Sequence, residues 1–381
     1  MPIYLDNAAT TAQKPPEVGQ KVAEILTSGQ YGNPSRATHD YALQGFREIE
    51  EVRQKIKNLF KASNNYEVAF TSGATMSLNT VLHGLLNPKD HIITTNWEHN
   101  SVLRPLWQLE QEGVEVSFLN GEEVTGNLEY DRLSELLQPN TKMLVCTHAS
   151  NVTGNIIDID YLKQFCKDND LIFVLDASQT AGQWPIDLSD EQIDVVCFTG
   201  HKSLYGPTGT GGIVLKKDLP IKPLMTGGDG MKTFSRKPNE ELPGLLESGT
   251  LNLTGIVGLG AAIDYLETNT IVKQQEKIKK LHQLFYEGIK QYPEIKVYGD
   301  FSQPKTGVIA LNIQDIESGL VSDLLWQEYE IATRPGYHCA PLMHETLGTK
   351  QQGIVRFSFS SFNTEEDVYE TLKALDTIIK D

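Results

Sequence analysis

The feature of this sequence that most constrains its fold is a regular alternation of short apolar runs with stretches of helical periodicity. Apolar runs rich in β-branched residues predict strands at 68–71, 91–95, 114–118, 143–147, 171–175 and 195–198. Because these runs are apolar on successive residues, they are typical of strands buried on both faces of a parallel or mixed sheet. Helical patterns lie between them at 46–60, 76–86, 101–112, 130–137 and 161–169. The alternation predicts an α/β fold built from crossover units.

The pattern changes after about residue 255. Two consecutive helices are predicted at 255–267 and 273–292, followed by strands near 308–313 and 354–360 and a final helix at 364–379 with Thr364 as its N-cap. We therefore expect a large domain at 15–254 and a smaller α+β domain formed by 1–14 and 255–381. The polar segment 227–249, rich in Gly and Pro, predicts a long loop before the second part.

Charge and composition exclude several classes of protein. The 381 residues carry 33 Lys and Arg against 50 Asp and Glu, a formal net charge of −17, which repels phosphate backbones. No apolar run is long enough to span a membrane, and the first residues do not form a secretory signal. The four Cys show no CxxC spacing, so we expect neither a disulfide framework nor a metal site. These features predict a cytoplasmic protein that binds neither nucleic acid nor membrane.

Polar clusters follow several predicted strands, at the edge where α/β sheets bind ligands. Residues 72–75 (SGAT) follow one strand and open a helix, which predicts an anion site at a helix N-terminus. An ordinary strand-to-helix turn capped by Ser72 or Thr75 is the alternative. Asp176 follows another buried strand, where an unpaired carboxylate is costly and calls for a cationic partner. The alternative for Asp176 is a surface carboxylate that caps the next helix.

Lys202 lies between a predicted strand and a Gly-rich turn at 206–212. A lysine held against a sheet edge is desolvated, which lowers its pKa and favours Schiff-base chemistry with a carbonyl compound. A nucleotide phosphate loop is the competing interpretation, but in that motif the Lys follows the glycines, whereas here it precedes them. A solvated surface Lys is the remaining alternative.

One cysteine differs from the other three in its surroundings. Cys146 and Cys197 fall in apolar strands and Cys166 in a helix, so we expect these thiols to be buried and inert. Cys339 instead falls in a loop beside His338 and near Arg334, where cations favour the thiolate and make it a better nucleophile. A thiol that happens to fall in a loop is the alternative.

A substrate carboxylate needs a cation, and two arginines are candidates. Arg356 lies on a predicted strand between Val355 and Phe357, and its planar guanidinium suits bidentate binding of an α-carboxylate. Arg334 is the second candidate. Asn33 is a further candidate for the mouth of the substrate site, and a surface strand arginine is the alternative for Arg356.

Seven short motifs, in order along nearly the whole chain, resemble class V aminotransferase-like enzymes and, within that group, cysteine desulfurases. They are DNAATT (6–11), SGAT (72–75), EHNS (98–101), HASNVTG (148–154), DASQ (176–179), GHK (200–202) and ESGT (247–250). The resemblance implies a pyridoxal 5′-phosphate (PLP) enzyme of fold type I, with a mostly parallel sheet between helices in the large domain. It also implies a homodimer in which both subunits contribute to each site.

By motif position, the resemblance implies that Lys202 is the residue that binds PLP covalently. His99 would stack on the pyridine ring and assist proton transfer, and Asp176 would pair with the ring nitrogen. Cys339 would accept sulfur as a persulfide, and Arg356 would bind the substrate carboxylate. The remaining implied contacts are Ala74, Thr75, Thr199 and His201 to the phosphate, Thr250 from the second subunit, and Gln179 and Asn151 on the oxygen side of the ring or to the substrate.

The implied reaction converts L-cysteine to L-alanine, with transfer of sulfur from Cys339 to a possible acceptor protein. A selenocysteine lyase, a cystine β-lyase and a plain class V aminotransferase on the same scaffold are alternatives, and a non-catalytic phosphate-binding module is a remote one. Two departures from the usual desulfurase pattern leave the identity of the physiological sulfur donor and acceptor open. Ser203 follows Lys202 where many desulfurases continue directly into an apolar stretch, and 340–349 resembles a less characterised branch.

Overall fold

The computed structural model describes residues 2–36, 39–228, 234–237 and 239–380. Part of the predicted loop at 227–249 therefore lies outside the described residues. The strands are β1 (Ile3–Tyr4), β2 (Tyr66–Thr71), β3 (His91–Thr95), β4 (Glu115–Leu119), β5 (Thr141–Thr147), β6 (Ile172–Asp176), β7 (Val195–Thr199), β8 (Gly211–Lys216), β9 (Ile295–Tyr298), β10 (Val308–Ile313), β11 (Ile331–Ala332) and β12 (Val355–Ser358). The helices are α1 (Pro16–Thr27), α2 (Asp40–Leu59), α3 (Ala74–Leu85), α4 (Asn100–Gln111), α5 (Ile159–Asp168), α6 (Leu253–Asn269), α7 (Ile271–Ile289), α8 (Ser318–Tyr329), α9 (Pro341–Thr346) and α10 (Glu365–Lys380).

The expected mostly parallel sheet is present, in the strand order β2-β8-β7-β6-β5-β3-β4. Only β8 runs antiparallel to its neighbours within the described sheet. The strands are buried because helices cover both faces: Phe198 packs in a cluster with Ile56 of α2 and Leu259 of α6, and Val174 packs with Leu78 of α3. The α/β fold class is confirmed.

The register of the parallel strands positions the candidate site. Thr147 at the end of β5 pairs with Asp176 at the end of β6, and Asp176 pairs with Cys197 in β7. The carboxyl ends of these strands therefore meet at one edge of the sheet, and the segment that follows Thr199 begins there. Crevices at this edge are where open α/β sheets bind ligands.

A second apolar core lies around a small antiparallel sheet of order β12-β10-β9. Phe285 of α7, Leu325 of α8 and Leu375 of α10 pack there with Leu5, which follows β1. β1 itself pairs in parallel with β11. Helix α6 belongs instead to the first core, so the predicted boundary at 254/255 falls inside an element that packs on the large sheet. The division into two domains stays a prediction.

Most predicted elements occur within a few residues of their expected positions. The final helix begins with a capping box, because Thr364 Oγ1 accepts from Asp367 N at 3.2 Å and Asp367 Oδ2 accepts from Thr364 N at 3.1 Å. The helical segment predicted at 130–137 is present as a 3-10 helix, Tyr130–Leu136, and not as an α-helix. The elements that the sequence analysis missed are α1, α8, α9, β1, β8, β9 and β11.

The sequence analysis did not predict β8 because this strand begins with two glycines. A Cβ atom on Gly211 would lie 2.6 Å from Gly73 Cα, and one on Gly212 would lie 2.7 Å from the ring of Phe198. Neither residue therefore has room for a side chain. Gly in a strand commonly marks such a close approach of another backbone, and only the packing shows it.

A buried ion pair holds the outer edge of the large sheet. Arg53 of α2 donates from Nη1 and Nη2 to the two carboxylate oxygens of Glu247, at 2.9 and 3.1 Å. Glu247 also accepts from the backbone N of Phe70 on edge strand β2, at 2.7 Å. Both charged side chains are 6% exposed. The contact occupies a strand-edge donor and ties α2, β2 and the segment before α6 together.

We predict that Glu247→Ala lowers the free energy of unfolding by about 3–5 kcal/mol, because it leaves the Arg53 charge buried without its partner. Glu50→Ala is the matched control. Glu50 also contacts Arg53, at 3.0 Å, but its side chain is 43% exposed, so its removal should cost at most about 1 kcal/mol. Urea unfolding followed by circular dichroism measures both changes. Equal losses in the two variants would contradict the prediction.

Candidate functional site

A cavity of about 320 Å³ opens at the carboxyl edge of the large sheet. Most of the predicted cofactor-binding residues line it: Ala74, Thr75, His99, Asn151, Asp176, Gln179, Thr199, His201 and Lys202. The lining residues that the sequence analysis did not single out as contacts are Ala9, Gly73, Met76, Ser101, Thr147 and Ser178, together with Ser72, which it named only as a helix cap. The cavity therefore joins segments from at least five separate parts of the chain.

One wall of the cavity is the N-terminus of α3. The helix begins at Ala74, and Gly73 before it has φ 147° and provides no side-chain cap. The first amides of the helix, at residues 74–76, have no acceptor within the helix. Thr199 and His201 lie on the same cavity, and the helix dipole favours an anion here. This donor set fits a phosphate group.

The carboxylate of Asp176 is buried beside the cavity. Its Oδ1 accepts from the Ser178 backbone N at 2.9 Å and from Ser178 Oγ at 2.5 Å. Burial raises the pKa of Asp176, while the Ser178 hydrogen bonds and the nearby Lys202 charge lower it. No described residue donates to Oδ2. The cavity therefore holds a carboxylate with one free oxygen, which suits a cationic N–H group.

Lys202 provides an amine at the same cavity. Burial lowers the pKa of Lys202 to about 8, since Asp176 only partly offsets the desolvation and Arg356 and Arg334 add to it. None of the described residues accepts a hydrogen bond from its Nζ. An amine with this pKa is partly unprotonated near neutral pH, which is the form that acts as nucleophile or base.

His99 forms the start of α4. Its Nδ1 accepts from the backbone N of Ser101 at 3.0 Å, and burial together with the Lys202 charge lowers the pKa of His99 to about 4. The ring is therefore neutral at pH 7, with its proton on Nε2. His201 is likewise neutral, because burial lowers its pKa to about 4, and its Nδ1 lies 3.0 Å from Thr10 Oγ1.

Glu98 precedes His99 in the EHNS motif, and the sequence analysis gave it no role. It is fully buried, and its Oε1 accepts from Thr95 Oγ1 at 2.6 Å and from Thr147 N at 3.0 Å. Burial raises the pKa of Glu98 to about 8. The carboxyl group thereby joins the ends of β3 and β5 next to His99.

Arg356 lies behind the cavity and contacts it through Asn151. Its Nη1 donates to the Asn151 carbonyl at 2.9 Å, and its Nη2 donates to Asp6 Oδ1 at 2.9 Å. Its Nε has no partner among the described residues. Arg334 is exposed, and its Nη1 lies 3.9 Å from Asp6 Oδ2. The sequence analysis missed Asp6 as a partner of both arginines.

Cys339 is the only exposed cysteine of the four; Cys146, Cys166 and Cys197 are buried, as expected. Its loop is attached to the mouth of the cavity by two hydrogen bonds. Asn151 Nδ2 donates to the carbonyl of His338 at 2.7 Å, and Asn100 N, next to His99, donates to the carbonyl of Cys339 at 2.7 Å. The thiol is thus carried by a short, anchored loop.

Two predicted residues lie elsewhere in the single chain. Thr250 is exposed and lines a neighbouring cavity, which shares Ser72 and Met76 with the first. Asn33 Nδ2 donates to Thr250 Oγ1 at 3.5 Å. The phosphate contact of Thr250 from a second subunit and the place of Asn33 at the substrate mouth stay predictions.

The departure at Ser203 is accommodated within the turn after Lys202. Tyr205 N donates to the Lys202 carbonyl at 2.8 Å, and Gly206 N donates to the Gly200 carbonyl at 2.7 Å. A Cβ atom on Gly182 would lie 2.4 Å from the Ser203 carbonyl oxygen, so the absence of a side chain at Gly182 leaves room for this turn.

Among the described residues, no group of three or more His, Cys, Asp or Glu is placed to hold a metal ion. No described helix is long and apolar enough to cross a membrane.

Comparison with known proteins defines the family. The profile of the class-V aminotransferase family matches residues 3–370, and the chain belongs to this family. The probable cysteine desulfurase of Methanothermobacter thermautotrophicus is 30% identical to it over 382 residues, which cover 98% of this chain and 94% of that protein. The cysteine desulfurase IscS of Shewanella sp. strain ANA-3 is 32% identical over 393 residues, covering 98% of this chain and 92% of that protein.

Solved structures show the same likeness. The apo structure of a cysteine desulfurase from Thermococcus onnurineus NA1 has a TM-score of 0.91 at 29% identity, covering all of this chain and 95% of that one. The cysteine desulfurase CsdA from Escherichia coli, in its S-sulfonic acid form, has a TM-score of 0.87 at 29% identity, with the same coverage. Fold and family are therefore established over the full chain.

We predict that the Lys202 amine of ligand-free protein reacts with acetic anhydride with a midpoint near pH 8. In the urea-unfolded protein the same amine should titrate with a pKa of about 10.4. Asp176→Asn should move the folded midpoint lower, because Asp176 favours the protonated amine. Competitive labelling with peptide mass spectrometry measures these midpoints. A folded midpoint equal to the unfolded one would contradict the burial of this amine.

Proposed function

We propose that this protein is a PLP-dependent cysteine desulfurase that converts L-cysteine to L-alanine and receives the sulfur on Cys339 as a persulfide. The observation that carries the proposal is that the loop of Cys339 is hydrogen-bonded to Asn151, a lining residue of the cavity that also contains Lys202. Lys202 lines it, and the Cys339 loop is anchored to it by Asn151 and by Asn100. A partly unprotonated amine and an exposed thiol at one cavity fit the two chemical tasks of a desulfurase.

The residues of the cavity fit PLP. The α3 amides with Thr199 and His201 suit its phosphate, Asp176 suits its ring nitrogen, and Lys202 suits its aldehyde. His99 would lie against the ring, with Gln179 and Asn151 on its oxygen side. When bound, this cofactor supplies an electron sink that stabilises negative charge at the Cα atom of an amino acid.

Lys202 is the group that moves the Cα proton. Its pKa of about 8 leaves part of the amine free to accept that proton near neutral pH and to return it later. His99, neutral with its proton on Nε2, lies on the same cavity and can assist this transfer. Arg356 is the cation for the substrate carboxylate: its guanidinium is held in place by Asp6 and Asn151, and burial strengthens its attraction for an anion.

Cys339 carries out the sulfur transfer. Its thiolate attacks the sulfur of L-cysteine, so that a sulfur–sulfur bond forms while the bond between that sulfur and the substrate Cβ atom breaks. The electron pair of the broken bond stays on Cβ, which gains a proton, and the Cys339 thiol has lost one. Atoms balance: L-cysteine and the thiol become L-alanine and a persulfide.

The exposed, anchored Cys339 favours this function over two of the alternatives. A plain aminotransferase or a phosphate-binding module has no use for a thiol held at the cavity mouth. We also propose a homodimer, in which Thr250 completes the site of the partner, and an acceptor protein that takes the sulfur from Cys339. A reducing cytoplasm fits the four free cysteines.

We predict that Cys339→Ala abolishes persulfide formation and alanine release from L-cysteine, while the purified protein stays yellow and borohydride trapping still modifies Lys202. The variant removes only the sulfur acceptor. Cys166→Ala, at a buried thiol, is the control and should keep activity. Mass spectrometry of the persulfide and an alanine assay measure the outcome. Undiminished desulfuration by Cys339→Ala would reject the role of this thiol.

We predict that Arg356→Lys raises KM for L-cysteine about tenfold or more, because Lys cannot form the bidentate contact with a carboxylate. Arg334→Lys should raise KM less, since Arg334 is exposed and more distant from Asp6. Steady-state kinetics with a thermal-unfolding check on each variant separates binding from stability. A larger effect at Arg334 would assign the carboxylate to that residue instead.

A further inference from the structure

The turn that carries Cys339 has an unfavourable backbone. Residues 337–340 form a β-turn in which Ala340 N donates to the Tyr337 carbonyl at 3.0 Å. Its two central residues, His338 and Cys339, have φ 50° and 55°. Positive φ at both positions is typical of a type I′ turn, where Gly and Asn are preferred because other side chains are strained there. Such a turn persists only where its surroundings hold it.

A directional chain of hydrogen bonds lies behind this turn. His338 Nε2 lies 3.0 Å from the Arg334 carbonyl, so this nitrogen carries the proton. Burial, aided by the Arg356 charge, holds the pKa of His338 well below its usual range, so its Nδ1 is an acceptor. His344 Nε2, at 3.4 Å, is the donor to that Nδ1. His344 Nδ1 in turn accepts from Thr349 Oγ1 at 2.8 Å.

The chain works in only one protonation state. Adding a proton to His338 would place an N–H group against the Nε2–H of His344, and adding one to His344 would remove the acceptor for Thr349. The groups around the pair oppose protonation: Arg356 and Arg334 face His338, and burial lowers the pKa of His344 to about 4, with only a backbone contact at Tyr337 raising it. The two ring planes lie 15° from parallel with their centroids 5.6 Å apart, an edge-to-edge arrangement that suits a hydrogen bond between ring nitrogens.

We propose that His338, His344 and Thr349 are positioning residues that hold the strained turn and thereby keep Cys339 at the mouth of the cavity. The inference rests on the proposed function, because it assigns the chain to the step in which sulfur moves to Cys339. Asn151 and Asn100 hold the turn by donating hydrogen bonds to its backbone carbonyls, and the histidine chain holds it through the side chain of His338. Neither histidine contacts the cavity itself.

The test uses the PLP-loaded protein and His344→Phe, which keeps a ring against Tyr337 and His338 but removes both nitrogens. We expect amide hydrogen exchange in residues 334–349 to become at least tenfold faster. Persulfide formation on Cys339 should fall about tenfold or more. Exchange of the Cα proton of L-alanine with D₂O, which depends on Lys202 and not on the thiol, should stay within twofold of the wild type.

His344→Gln is the rescue variant, because its amide nitrogen can donate to His338 Nδ1; it should recover part of the lost sulfur transfer. Glu345→Gln is the matched control on the same helix, since the exposed Lys350 is the one ion-pair partner of Glu345 within the described part of the chain. Should His344→Phe fail to fold, Thr349→Val removes the last donor alone and should show a smaller change in the same direction.

Two results would overturn the inference: unchanged loop exchange in His344→Phe, or an equal loss of Cα exchange and sulfur transfer, which indicates general damage. Failure of the proposed function looks different. In that case the wild type forms no persulfide, while the contrast in loop exchange between the wild type and the variant still reports on the hydrogen-bond chain.

Discussion

The arrangement of the candidate site depends on two opposite charges, Lys202 and Asp176, that share one desolvated edge of the sheet. Burial lowers the pKa of the amine and raises that of the carboxyl group, and each charge offsets the effect on the other. The parallel register of β6 and β7 brings them together, since Asp176 ends one strand and Lys202 follows the next. A shift of either strand would change the reactivity of the amine along with its position.

The rest of the site is brought to this edge by contacts between distant parts of the chain. Asp6 and Arg356 are 350 residues apart in sequence, and their ion pair fixes the guanidinium beside Asn151. The side chain of Asn151 then anchors the Cys339 loop. Asn151 thus connects the arginine proposed to bind a substrate carboxylate with the loop of the thiol proposed to accept sulfur.

The sequence predicted those features of the fold and site that depend on residues close together in the chain, and it missed those that depend on distant contacts. The strands before Asp176 and Lys202 were recognisable because each consists of consecutive apolar residues. β8 was not, because its glycines are explained only by the backbone of Gly73 and the ring of Phe198. The motif positions assigned contacts to nine of the cavity residues, but none to Ser178, which belongs to the DASQ motif and whose two donors hold Asp176. Thr250 belongs to a prediction about a second subunit, which one chain does not test, and the place of Asn33 at the substrate mouth also stays a prediction.

By itself the sequence determined the α/β class and the helix cap at Thr364, and it predicted the ligand-binding edge and the reactive amine and thiol, because each of these inferences depends on neighbours a few residues away. Only the tertiary structure decided which partners these groups meet. The pairing of Arg356 with Asp6, and the positive φ of His338 and Cys339 backed by His344, arise from contacts made after the chain has folded. Hydrogen-bond partners and strained backbone angles are set by three-dimensional proximity, and no local pattern of residues specifies them.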